Sequence, residues 1–116
     1  MKLLVIAMGG GLGALARYGL AGLVQGRGVG FPWGTLAVNA LGCLLIGALF
    51  DRVTADARAF VVVGFLGGFT TFSAFGHETV ELMRGGQLGL ALANAGLNVL
   101  VGIGAVLLGR AAAEMM

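Results

Sequence analysis

Four apolar runs, at about 3–24, 33–50, 59–83 and 88–109, occupy nearly all of this 116-residue chain. Each is close to the roughly 20 helical residues, at about 1.5 Å apiece, that cross a hydrocarbon core about 30 Å thick. Seven Lys or Arg and five Asp or Glu are the only formal charges, 10% of the chain against roughly 25% in a typical soluble domain. A domain this small buries a modest share of its surface and would need many polar side chains to cover the rest. A water-soluble monomer is all but excluded, as is a disordered chain. The 23 glycines come with a single proline and no three-residue period, which excludes a collagen-like chain. The expectation is an all-α integral membrane protein, one transmembrane domain over 1–116 with four helices.

The connections fit that plan. A glycine-rich loop from Gln25 to Phe31 precedes Pro32, which suits the first turn of a helix. Trp33 is placed as an interfacial anchor, a polar stretch from Asp51 to Arg58 follows the second span, and Arg84-Gly85-Gly86-Gln87 reads as a turn. The apolar run beginning after Lys2 continues past Arg17 to Val24, so the N-terminus is expected to stay as the first span rather than be cleaved as a signal peptide. With four spans, Lys2, Arg52, Arg58 and Arg110 fall on one side and Arg27 and Arg84 on the other. This bias orients the chain only feebly. The basic residues stand singly at the ends of apolar runs, so no nucleic-acid-binding patch is expected. Cys43, the lone cysteine, offers no disulfide and reads as small-residue packing.

Polar groups at bilayer depth are costly unless paired or wet, which makes them candidates. Arg17 either snorkels to the far interface, with only about seven apolar residues after it, or serves a site. Thr35 and Asn39 are i, i+4 on one helical face, and Asn94 and Asn98 repeat that spacing. Interhelical hydrogen bonding is one reading of these asparagines, and a polar path through the bundle is the other. The third run contains Gly64-Phe65-Leu66-Gly67-Gly68-Phe69-Thr70-Thr71-Phe72-Ser73-Ala74-Phe75. Gly67 and Gly68 beside two threonines are poor helix formers, so a helix broken near its middle is expected there. Backbone leaves the helix at such depth only where it is buried or wet, and freed carbonyls suit a hard cation such as Na⁺. The bland alternative is a small-residue helix contact. Phe72 and Phe75 share a face at i, i+3. They fill space, or their electropositive ring edges receive a small anion weakly enough to let it go.

Two motif matches mislead. Gly9-Gly10-Gly11-Leu12-Gly13-Ala14 formally fits a dinucleotide fingerprint, but it lies in an apolar span and the first acid after it is Asp51. It reads as a close-packing face. His77-Glu78 lacks the second histidine a metal site would need. No nucleophile, base and orienting group assemble, so no enzyme is expected.

These residues together resemble the CrcB/Fluc fluoride channels. The resemblance spans nearly the whole chain and rests on three ordered motifs. They are Gly10-Gly11-Leu12-Gly13-Ala14-Leu15-Ala16-Arg17-Tyr18, Trp33-Gly34-Thr35-Leu36-Ala37-Val38-Asn39, and the Gly64–Phe75 segment. It implies an antiparallel, dual-topology homodimer in the bacterial inner membrane, with two pores exporting fluoride. It further implies that Phe72 and Phe75 turn ring edges to fluoride while Asn39 donates to it. Ser73, Asn98 and Asn94 then line the same polar track. Gly67 and Thr70 would hold a central structural Na⁺ through backbone carbonyls, and Arg17, Thr35 and Glu78 would form the vestibule. The chain departs from the family pattern at Ala74, where a Thr is common, and at Asn94 and Asn98, where a Tyr and a Ser are expected. Two rivals follow from the same four spans. A small multidrug transporter needs an acid in the first helix, which has none. A non-conducting scaffold predicts that Asn39 and Phe75 are replaceable.

Overall fold

The computed structural model describes residues 1–26 and 30–116, and the described residues form helices joined by short connections. The centre of the expected glycine-rich loop, Arg27 included, lies outside the described residues. Helix α1 (Lys2–Gln25) has 24 residues, about 36 Å at 1.5 Å each, and α2 (Trp33–Leu49) has 17, about 25 Å. Pro32 stands before α2 without a capping side chain. Gln25 substitutes for one: its Oε1 accepts from Gly34 N at 2.9 Å, and its Nε2 donates to Phe31 O at 3.1 Å. One otherwise orphaned first-turn amide of α2 is thereby satisfied from the end of α1.

The third span starts earlier than its apolar run. Thr54 Oγ1 accepts from Ala57 N at 3.2 Å and opens α3 (Ala55–Arg58). The helix then widens into a π-helical stretch, Ala59–Leu66, and tightens for one turn, α4 (Gly67–Phe69). Thr70 and Thr71 are extended, and α5 (Phe72–Arg84) resumes beyond them. The expected break therefore lies at the two threonines. Gly67 is helical, at φ −61° and ψ −39°. After a turn through Gly86, at φ +77°, α6 (Leu88–Glu114) runs for 27 residues. It passes the expected end at Gly109 because three alanines, the best helix formers, follow Arg110. Arg110 also pairs with Asp51 at 3.0 Å and Glu114 at 3.8 Å, and Arg52 donates to Ala113 O. These contacts bring the end of α2 to the end of α6, as four alternating spans require.

Lys2–Gln25, Ala55–Arg84 and Leu88–Glu114 are each long and apolar enough to cross a membrane, and α2 is a shorter apolar helix. Large apolar side chains such as Leu15, Leu23, Leu100 and Leu107 point outward. That arrangement suits helices solvated by lipid. The chain is a multi-pass α-helical membrane protein. Its interior is held by backbone proximity: a Cβ at Gly9 would lie 2.6 Å from Phe60 O and 3.2 Å from Gly64 Cα. Gly13, on the same face of α1, abuts Phe65 O in the same way. The apparent nucleotide motif is thus the seat of the π-helical stretch, as its composition suggested. On the other side of the bundle α2 and α6 pack parallel, as the second and fourth of four alternating spans, with Cys43 against Gly102 and Gly47 against Val106.

Candidate functional site: a polar seam at the helix break

The break exists because a side chain takes over the backbone's hydrogen bonds. Thr71 N donates to Asn39 Oδ1 at 2.8 Å, and Asn39 Nδ2 donates to Thr71 O at 2.9 Å. In an unbroken helix that amide would reach the carbonyl of Gly67. Around it, Thr70 N and Thr70 Oγ1 both donate to Leu66 O, each at 3.0 Å, closing the first half-helix. Thr71 Oγ1 accepts from Ala74 N at 3.2 Å and caps α5. Gly42 makes room for this junction, since a Cβ there would collide with the Thr70 methyl group.

Asn39 opens a longer seam. Its Nδ2 also faces Asn98 Oδ1 at 3.5 Å. Asn98 Nδ2 donates to both Asn94 O and Asn94 Oδ1 at 2.9 Å. Asn94, only 1% exposed, donates to Thr79 Oγ1 at 2.9 Å, and Thr79 Oγ1 donates to Phe75 O at 2.7 Å. The structure thus brings three sequence-predicted asparagines into one hydrogen-bonded row from α2 across α6 to α5. Full pairing is what makes such groups tolerable at depth.

Phe72 and Phe75 do share a face: their centroids are 5.3 Å apart with planes at 56°. Phe72 is 82% exposed on the single chain, and Ser73 beside it is exposed, 3.3 Å from Thr71 Oγ1. Gly67 is exposed too, whereas Thr70 is half-buried. Arg17 turns toward the break: its Nε donates to Gly68 O at 3.2 Å, a favourable place for a cation at a helix C-terminus. Thr35 Oγ1, buried, donates to Glu78 Oε2 at 2.9 Å, while Glu78 Oε1 is buried without a hydrogen-bond partner. Arg17, Thr35 and Glu78 all line one open cavity of about 1050 Å³ between α1, α2 and α5, together with Thr71, His77 and Glu81.

Sequence reasoning did not single out Thr71 or Thr79. A Thr directly before a helix is a legible cap, and that signal could have marked Thr71. Thr79 carries no comparable signal, because only the packing of α5 on α6 sets it against Asn94.

A helical membrane protein with a broken third span, pinned by an amide side chain and flanked by an exposed and a half-buried phenylalanine and a polar cavity, is the class these features define. The chain belongs to the CrcB family: the family described as CrcB-like protein, Camphor Resistance (CrcB), matches residues 4–110. Similar proteins include a "Fluoride-specific ion channel FluC" of Thermus thermophilus, 49% identical over 93% of this chain and 91% of that protein. "Fluoride-specific ion channel FluC 1" of Thermobifida fusca is 46% identical over 97% of this chain and 95% of its own length. The FluC of Hydrogenovibrio crunogenus is 42% identical over 94% and 88%.

Proposed function

We propose that this chain forms a passive fluoride channel in the bacterial inner membrane, letting fluoride leave the cytoplasm down its electrochemical gradient. It is a channel and not an enzyme. Family membership supports this, with relatives 42–49% identical that are named fluoride-specific ion channels. The observation that carries it is the break itself, which sets a phenylalanine pair and a hydroxyl at the start of α5 beside an amide-lined seam.

Fluoride is tightly hydrated, so a pore must replace water with donors and electropositive edges without trapping the ion. Arg17, Thr35 and Glu78 form the vestibule, where Arg17 draws anions in and Glu78 holds the Thr35 hydroxyl. Phe72 and Phe75 offer ring edges, and Ser73 and Asn39 offer donors, with Asn98 and Asn94 behind them. No fixed cation is needed within the row, and weak sites allow release. Ala74 leaves the track one hydroxyl short of the common family pattern.

Two copies packed in opposite orientations complete two such pores. Phe72 and Gly67, exposed beside the break of one chain, support this, as does the feeble charge bias. A central Na⁺ would sit between the copies on the carbonyls of Gly67 and Thr70. The residues fit: Thr71 N and Ala74 N, the helical partners of those carbonyls, are diverted to Asn39 and Thr71 Oγ1. Oxygen ligands suit a hard cation, which would supply only cohesion. The test is fluoride efflux from liposomes holding the purified chain. Efflux without ATP and with chloride retained is expected, and equal chloride flux refutes the reading.

A further inference from the structure

The row of asparagines has a direction. Thr71 offers Asn39 both an N–H and a C=O, so only one orientation of the Asn39 amide satisfies the pair. Its remaining N–H then points at Asn98. Asn98 meets it with Oδ1, because its own Nδ2 is held by Asn94 O and Asn94 Oδ1. Asn94 in turn must present Nδ2 to Thr79, whose single proton goes to Phe75 O. Every link but one lies between 2.7 and 2.9 Å. The exception is the 3.5 Å contact between Asn39 Nδ2 and Asn98 Oδ1, well beyond the usual 2.9–3.0 Å. A well-held acceptor thus stands opposite a donor that it satisfies poorly.

We infer that Asn98 is a built-in competitor for the anion: its Oδ1 occupies the Asn39 N–H until fluoride displaces it. Asn94 and Thr79 are the positioning residues that keep that oxygen facing Asn39. This rests on the reading that Asn39 donates to fluoride, and deepens it by assigning Asn98 as an acceptor that weakens binding rather than a further donor. Such competition serves conduction, because an ion that leaves is replaced at once by the internal acceptor and the donor is never left bare.

The test is a fluoride titration of the purified, assembled protein in detergent, followed through its side-chain amide resonances. In the wild type the Asn39 resonance moves with fluoride. A still Asn39 resonance overturns the underlying reading of Asn39, and this inference with it. Given movement, Asn98→Ala lowers the apparent Kd about threefold to fivefold, the worth of one weak competing hydrogen bond. Thr79→Val, which keeps shape and removes the hydroxyl, lowers it by less, and Thr79→Ser restores the wild-type value. A purely structural role would reduce the folded fraction and leave the Kd unchanged. An unchanged or raised Kd in Asn98→Ala refutes the inference. Should Asn98→Ala fail to assemble, the Thr79 pair decides alone, with no Kd difference between Val and Ser refuting it.

Discussion

Replacing Asn39 by alanine should unfasten the helix break before anything else. The side chain makes two hydrogen bonds to one residue, 2.8 Å from Thr71 N and 2.9 Å to Thr71 O. Asn39→Ala orphans both backbone groups, and each orphaned group costs about 1–3 kcal/mol when buried. Thr71 lines the open cavity, so water can reach it and the lower bound applies, about 2 kcal/mol for the pair. That corresponds to roughly a thirtyfold change in a local opening equilibrium. Amide hydrogen exchange on the assembled protein reads it directly. The Thr71 amide should exchange roughly thirtyfold faster in Asn39→Ala, while amides in α6 beyond Asn98 keep their protection. Unchanged exchange at Thr71 would refute the claim that Asn39 holds the break open. Equal loss of protection throughout would mean global destabilisation instead.

The remaining expectations concern pore, packing and topology. Phe75→Leu should cut fluoride efflux steeply while the equivalent Phe60→Leu does not, since the swap keeps bulk and removes the ring edge; equal efflux with intact dimers returns Phe75 to packing. Gly9→Ala should lower the thermal midpoint in detergent by an amount reflecting about 1–3 kcal/mol, because its Cβ would meet Phe60 O at 2.6 Å. Gly89→Ala, with nothing within 4 Å of its Cβ, should not lower it. A cysteine introduced at the N-terminus, in a Cys43→Ala background, should be labelled from both sides of the membrane. Labelling from one side only excludes dual topology.

Hydrophobicity alone placed the spans, because apolar length against bilayer thickness is a property of composition and needs no partner. The small-residue face of Gly9 and Gly13 was legible for a similar reason: a missing side chain at helical spacing invites a neighbour. Chemistry at depth was likewise visible in Arg17, Asn39, Asn94 and Asn98, whose polarity is costly wherever they sit. Directions were not legible. Local propensity marked the whole stretch of Gly67, Gly68, Thr70 and Thr71 as weak, and within it the glycines stay helical while the chain parts at the two threonines. The reason is that a helix opens where another group can take its hydrogen bonds, and the Asn39 amide reaches Thr71. Arg17 offered either a reach to the interface or a site, and only the fold shows that its Nε turns to the carbonyl of Gly68 at 3.2 Å. Thr79 says nothing in sequence and completes the asparagine row in space, because that row crosses three helices and its order depends on which faces pack.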